Sequence, residues 1–586
     1  MAAHLNHGRP PQPQPALSVD ISGCIHLTAL PVLLPLLRLL LPLATVRPRL
    51  LLPVLILSTA LQAAPVPPPG PSTSATETTS PTSDTPATEL NLRTLGAIGD
   101  NRPHPVSEWI AQKRYKNLRD IQKDYPFVTS LDWSVDEVVF QHALRSLPPE
   151  GGTIRIPPGR YVATAHGWRI DRDHVRLLGA GMRDTMISTG PKLDEGLVLA
   201  PYRHVGWLTG VDHEYPFAPD SGAAGSGSLR LREPARAADL APGDLVFIRN
   251  GACRFDQDYG EFNEVATTSD DGGIVFKHPL SRDYTLASLN WAAETAEPFT
   301  LPSPGKTVTV RLKTGEGFFE LPRSGAITVG EALLEIMRSE SAGAVLRNPG
   351  RGNPAPGTVF PAGTKIAKSR AIIRLTRSTR DFSAQGLRVF GRRKALNLSN
   401  SYEATFVDCD FVRQPDATTP GGGLTLDGDG GRFATFTRCT FRSTAPAPMQ
   451  IARSFSDLTF TRCTFISTNV VFSEFAFRGA LEHSQLHVPS ALGSAIVVGR
   501  SCGDLRIEDN QIVVTGGKLT LFDTGTDIHA QKLDAPGELI LRNNKIVAPT
   551  KPLLFLISDR PSKISGNTLN NTPVDPPQKT APTPTP

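Results

Sequence analysis

The chain has 586 residues, 39% of them hydrophobic and 26 of them Phe, enough for a continuous buried core. The formal charge is +5, but residues 1–63 hold four Arg and one Asp, so the remainder carries only about +2. Near-neutrality without a concentrated basic patch argues against nucleic acid as a partner.

At the N-terminus Arg47 and Arg49 precede an apolar run, Leu50–Leu57, and then Ser58 to Ala63. A basic start, an apolar middle and small residues before a cut after Ala63 or Ala64 predict a signal peptide, hence a secreted or periplasmic protein. Met1–Thr45 fits this pattern poorly, which makes Val46 the candidate start within a signal region of residues 1–63. Pro48 and Pro53 in so short a run argue against a membrane anchor, so no membrane contact is expected after cleavage. Residues 64–90 are rich in Pro, Ser and Thr and read as a disordered linker, and 571–586 read as a similar tail.

The folded part opens with NLRTLGAIGD at Asn91–Asp100. A helix is predicted at about Val135–Leu147, with Ser134 and Glu137 as a capping box and Trp133 and Val138 as a hydrophobic staple. Val139, Phe140, Ala143, Leu144 and Leu147 give it one apolar face, and Gly151-Gly152 stop it. TIRIPPGRY (Thr153–Tyr161) and VRLLGAG (Val175–Gly181) follow as strands and turns. Leu240–Tyr284 reads as strands that enter and leave one coil by a long excursion, which extends an N-terminal coil region over 91–285. Residues 286–370 interrupt the pattern. Thr307–Leu312 and Phe318–Leu321 are predicted strands and Val329–Met337 a helix, together a small inserted α+β subdomain.

From 371 to 570 one phrase recurs: ATFVDCDF, ATFTRCTF, LTFTRCTF, GALEHSQL, LRIEDNQI, LILRNNKI and SKISGNTL. Its sixth slot holds Cys409, Cys439, Cys463, Ser484, Asn510, Asn544 and Asn567, at steps of 30, 24, 21, 26, 34 and 23 residues. Strands and turns repeating at this period predict a β-solenoid. Its open end would need a cap, and the Val135–Leu147 helix is the candidate. Five cysteines lie outside the signal region, an odd number that leaves no full disulfide set, so the slot thiols are expected free and buried. The slot amides are expected to be structural, with Asn favoured for its tolerance of left-handed backbone.

GAIGD, an amphipathic helix, GGTIRIPPGRY and VRLLGAG in that order resemble the start of the pectate-lyase-like superfamily. Within it they are most similar to the branch of pectate lyase 3 and rhamnogalacturonase/epimerase-like proteins. The resemblance covers Leu92 to about Gly181 and then the repeats to Leu569, with Asp136-Glu137 where that branch has paired Asp. It implies an all-β chain folded as a right-handed parallel β-helix of three strands per coil, with an N-terminal capping helix. In many members the ligand groove runs along the first of the three sheets.

First strands can be aligned on inward residues Leu398, Leu426, Ile451, Phe472, Val498, Leu521 and Leu556. Two positions later stand Asn400, Gly428, Arg453, Glu474, Arg500, Asp523 and Ser558, flanked by Asp427 and Asp429. Alternation turns this column away from the core. Asp427, Asp429, Glu474 and Asp523 are the candidate catalytic carboxyls, and Arg453 and Arg500 the candidate substrate-binding cations. Glu474 is two coils, ~9.6 Å between backbones, from its neighbours on either side, which side chains can narrow toward the inverting range. β-Elimination would instead need a base and a cation beside a sugar carboxylate. A cross-strand ion-pair ladder without catalytic role would show the same pattern. DGDGG at Asp427–Gly431 starts like an EF-hand loop, but its twelfth position is Arg438, so no cofactor is expected. The one metal option is a lone calcium between Asp427, Asp429 and backbone oxygens. The expected function is action on a polysaccharide by hydrolysis or β-elimination. The rivals are a non-catalytic carbohydrate-binding or adhesion protein and a fibre-like spike. Exposed aromatic platforms would favour sugar binding, and Tyr402, Phe455, Phe475, Phe477 and Phe522 are the residues available.

Overall fold

The computed structural model describes residues 88–574 except 200–213, 219–220, 253–257, 282, 286–290, 314–324, 341–342, 351, 368–371, 377, 400, 416–422, 473–476, 500–501, 517–519, 524–536 and 549–561. The predicted signal region, most of the linker and the Phe318–Leu321 strand lie outside these residues.

Period-two alternation along short strands, broken by turns, lets each coil bury one face and stack on the next. Three parallel ladders result. The first sheet runs from Trp168–Ile170 and Glu195–Leu199 through Lys394–Asn397 to Ser494–Val498 and Thr520–Asp523. The second runs from Glu89–Asn91 and Gly152–Ile156 to Ser562–Ser565. The third runs from Gly159–Ala163 to Thr568–Leu569, where Thr572–Pro573 folds back antiparallel and closes it. This is the right-handed parallel β-helix that the pectate-lyase-like resemblance implies. Leu424–Thr437 and Met449–Thr461 pass unbroken from the first sheet into the second, bending at a register shift between Asp429 and Gly431. A Cβ on Gly431 would come within 2.6 Å of the Ser401 carbonyl, so the bend requires glycine.

Inside the coils, Phe406, Phe436 and Phe460 stack with centroids 4.7 and 4.9 Å apart, and Phe411, Phe441 and Phe465 at 5.3 and 5.1 Å. These separations match the spacing of strands in a ladder. Cys409, Cys439 and Cys463 are free and buried, each thiol facing a backbone carbonyl of the preceding coil at 3.5 Å. Asn510, Asn544 and Asn567 are buried and join coil to coil. The Asn544 N–H and Nδ2 both donate to Asn567 Oδ1, at 3.0 and 2.9 Å. The left-handed residue is not the slot but the one before it, including Asp408, Arg438, Arg462, His483, Asp509 and Asn543, all with φ near +50°. The slot amide is therefore chosen for its hydrogen bonds, not for backbone freedom.

The open end is capped by α1 (Ser107–Ala111), α2 (Leu118–Asp124) and α3 (Val135–Ser146). Ser134 caps α3 by accepting from the Glu137 N–H. The Glu137 side chain does not return to the cap. It accepts four backbone N–H bonds, from Thr164, Ala165, His166 and Gly167. Asp136 accepts from Ile98, Gly99 and Val162. The acidic pair thus bolts the cap to the first coil.

The largest departure from expectation lies between Leu199 and Thr379. Leu240–Tyr284 does not belong to a coil. Leu245–Ala252, Asp258–Thr268 and Gly273–Phe276 form an antiparallel meander, flanked by Ser228–Arg230, Ile372–Leu375 and Glu214–Pro216. Nested within it, residues from Trp291 to Ala367 form a second six-stranded sheet and a two-stranded pair. The predicted Val329–Met337 helix is a hairpin, Gly325–Val329 against Ala332–Glu340, turning at Gly330 with φ 58°. Ala332, Leu334 and Ile336 are buried and Met337 is 51% exposed, which is period two. The insertion is therefore all β, and larger than 286–370. It docks where the first and second sheets meet. Phe247 and Phe262 pack on Tyr402 and Phe433 there, and the fully buried Arg432 and Glu261 pair at 3.2 Å.

Candidate functional site

Strand register fixes which outward residues share a level on the first sheet. One level reads Arg169, Val198, Asn397, Asp427, Gln450, Val471, Val497 and Asp523. The alignment from sequence slips here. Leu426 pairs with Leu396, not Leu398, and Ile451 pairs with Gly428. Gly428 faces inward, where a Cβ would come within 2.9 Å of Ile451 Cδ1. Phe522, not Leu521, pairs with Ile496, which brings Asp523 level with Val497. Asp427 and Asp523 therefore share a level but stand four coils apart, ~19 Å, too far to act as a carboxyl pair.

Of the predicted site residues, Asp427 is the one whose side chain is described. Asp429 pairs through its backbone with Ala452, and Arg453 and Asp523 lie within strands, but their side chains fall outside the described residues. Glu474 and Arg500 lie wholly outside them. Tyr402, Phe455 and Phe522 are buried and cannot serve as sugar platforms, while the Phe475 and Phe477 side chains are not among those described. Cross-strand ion pairs also line the second sheet, as Glu482–Arg506 at 3.0 Å and Glu508–Arg542 at 3.6 Å.

Around Asp427 the structure assembles a group that sequence reasoning missed. Glu195 and Lys394 open neighbouring strands and are direct register partners. Lys394 Nζ lies 2.7 Å from Asp427 Oδ2 and 3.2 Å from Glu195 Oε1. Asn397 Nδ2 donates to Glu195 Oε1 at 3.0 Å, and Arg169 Nη2 lies 3.7 Å from Glu195 Oε2. Ser399 donates twice to Asn397 Oδ1 and fixes the amide's orientation. The Asp427, Glu195 and Lys394 side chains are 17%, 24% and 25% exposed, so the group is reachable from solvent.

Electrostatics set its protonation. Burial pulls the Lys394 amine down, but Asp427 and Glu195 outweigh it and hold the ammonium above the ordinary lysine range. Burial pushes the Glu195 carboxyl up, but Lys394, Asn397 and Arg169 hold it below the ordinary range. Near neutrality Lys394 is an ammonium and Glu195 a carboxylate, with Asp427 on the other side of the ammonium. The two distances from Nζ keep Asp427 Oδ2 and Glu195 Oε1 within about 6 Å of each other, a limit that admits the retaining separation of ~5–5.5 Å. A calcium at Asp427 would have to displace this ammonium, and among the described residues no three His, Cys, Asp or Glu side chains converge as a metal site.

The sequence could have suggested these residues only through their charge at strand starts. Glu195 and Lys394 are separated by the whole insertion, so no spacing rule connects them. Glu482 and His483, adjacent in sequence, do not act as a pair. Glu482 is engaged by Arg506, and His483 is exposed in a left-handed turn position.

No protein-family model matches the chain, and no curated protein matches it. Among solved structures it is similar to the tailspike gp61 of Pseudomonas phage phi297, at 16% identity and TM-score 0.42, covering 83% of this chain and 76% of that one. It is also similar to the tailspike gp49 of Pseudomonas phage LKA1, at 13% and 0.27, covering 82% and 84%. A pectin methylesterase aligns at 11% and 0.23, covering 74% and 85%. The fold assignment rests on the strand pairing itself.

Proposed function

We propose that this protein acts on a polysaccharide lying along the outer face of the first sheet and that it hydrolyses glycosidic bonds at the Glu195–Lys394–Asp427 group. The observation that carries this reading is two carboxyl groups within about 6 Å on a solvent-reachable ladder, a limit that admits the separation used in glycoside cleavage. Glu195, held ionised, is the proposed nucleophile or base. Lys394 is a donor to sugar hydroxyls or to a sugar carboxylate. Asp427, on the far side of the Lys394 ammonium, is the second carboxyl of the pair and the proposed acid. Elimination would use the same group, with Glu195 as base and the Lys394 ammonium beside the sugar carboxylate, and is told apart by unsaturated products. A second reading, carbohydrate binding without cleavage, is favoured by the complete pairing of the group. Export belongs to the same proposal, supported by the basic and apolar residues from Arg47 to Ala63.

The test is release of reducing ends, with absorbance of unsaturated products followed in parallel, across a polysaccharide panel. Glu195→Gln and Asp427→Asn are each expected to lower turnover by about 100-fold or more while oligosaccharide binding persists. Turnover unchanged in both variants removes them from the chemistry. Binding with no turnover in the unmodified protein selects the second reading.

A further inference from the structure

The outer face of the third sheet carries a cavity of about 560 Å³ lined by Arg160, Arg388, Arg392, Phe390, Met186 and Gln414. Register sets the spacing of its cations. Arg160 is level with Met186, and Met186 with Arg388, so the two arginines are separated by two coils, ~9.6 Å. That is comparable with a disaccharide step of an extended sugar chain.

The charge balance of the groove is one-sided. Arg160 is exposed, and its guanidinium has no side-chain partner among the described residues. Arg388 pairs at 2.6 Å with Asp410, a carboxylate only 3% exposed that is also shared with Arg442. Arg392 is 4.0 Å from Asp194 and donates to the Pro191 carbonyl. Asp100, the register neighbour of Arg160, is already bound to His104 at 3.0 Å. Cationic forks therefore outnumber the acids available to them. Half-buried Phe390 and Met186 offer an apolar floor for the C–H face of a sugar ring, and Gln414 an exposed amide for hydroxyls. Guanidinium recognises carboxylate and sulfate bidentately, with more geometric demand than an ammonium would make. Single-stranded nucleic acid would need successive exposed aromatic platforms, and the groove has one half-buried Phe.

We propose that this groove is a second carbohydrate site, specific for an acidic oligosaccharide whose carboxylate or sulfate groups bridge Arg160 and Arg388. It stands on its own residues and does not depend on the reading of the first sheet.

The full chain is titrated calorimetrically at low salt with hexagalacturonate, its fully methyl-esterified form, a heparin hexasaccharide and an oligothymidylate of equal charge. An acidic hexasaccharide is expected to bind at least about 10-fold tighter than the neutral ester, and the tighter of the two acidic probes identifies carboxylate or sulfate as the source. Arg160→Glu is expected to weaken that binding by about 10-fold, and Arg160→Lys by less, because charge is kept and the fork is lost. Arg160 is exposed, so both variants should melt like the parent protein. The proposal is overturned by equal affinity for the esterified probe, by tighter binding of the oligothymidylate, or by an Arg160→Glu affinity within twofold of the parent.

Discussion

The coils between Ser401 and Ile466 and those between Phe477 and Leu569 place different chemistry in one slot of one fold. In the earlier coils the slot is a thiol at 3.5 Å from a carbonyl, and the adjoining core is two columns of stacked Phe. In the later coils the slot passes from Ser484 to amides, with Asn544 alone making four hydrogen bonds, and the adjoining core is Leu and Ile, such as Leu481, Ile507 and Leu541. Where the core supplies large aromatic area, the turn needs only a small hydrophobe. Where the core is aliphatic, the turn itself carries a directional link between coils. The pairing of strong core with weak slot, and weak core with strong slot, suggests that each coil needs one firm attachment to its neighbour.

That contrast can be broken at both ends. Phe436→Ala empties the middle of the aromatic column and is expected to cost about 3–5 kcal/mol, read as a lower urea midpoint. Asn544→Ala strands the Asn510 N–H and the Ile507 carbonyl and is expected to cost about 2–4 kcal/mol, with amide exchange accelerated in the two flanking coils. Cys439→Ala, in the same slot, is expected to cost only about 1 kcal/mol, and a loss equal to that of Asn544→Ala would abolish the distinction.

The smallest effect is expected at the cap, which neither ladder reaches. His104 lies between Asp100 and Glu108 at 3.0 and 2.9 Å, and these bonds raise its pKa above the ordinary histidine value. Its contribution is therefore full below the unfolded-state value of about 6.5 and fades as pH rises through the folded-state value. His104→Gln should lower stability in mild acid, by under about 1 kcal/mol, and converge with the parent at alkaline pH, read from melting curves.

The ladder and the cap were legible in the sequence because each is local, while the three-strand coil followed from the family resemblance. The slot recurs within eight residues of phrase, and Ser134 caps a helix three residues away. The first sheet was less legible. Leu396 and Leu398 are both buried and two residues apart, so either could be matched to Leu426, and hydrophobic pattern alone does not choose. The hairpin at Gly330 was misread because Val329, Leu333, Leu334, Ile336 and Met337 satisfy a helical period over so short a window, while antiparallel partners set the true alternation. Glu195 and Lys394 were not legible at all, since their meeting depends on a strand pairing across the insertion.

The two nested sheets of that insertion share a property with consequences for how this chain changes over generations. Trp291 and Ala367, at the limits of the inner sheet, are hydrogen-bonded register partners, and Glu214–Pro216 pairs with Ile372–Leu375 at the limits of the outer one. Each module leaves and returns through one doorway. Material can be added or removed behind either doorway without altering the pitch of the coil, so the side of the molecule next to the first sheet is free to diversify while the solenoid stays fixed.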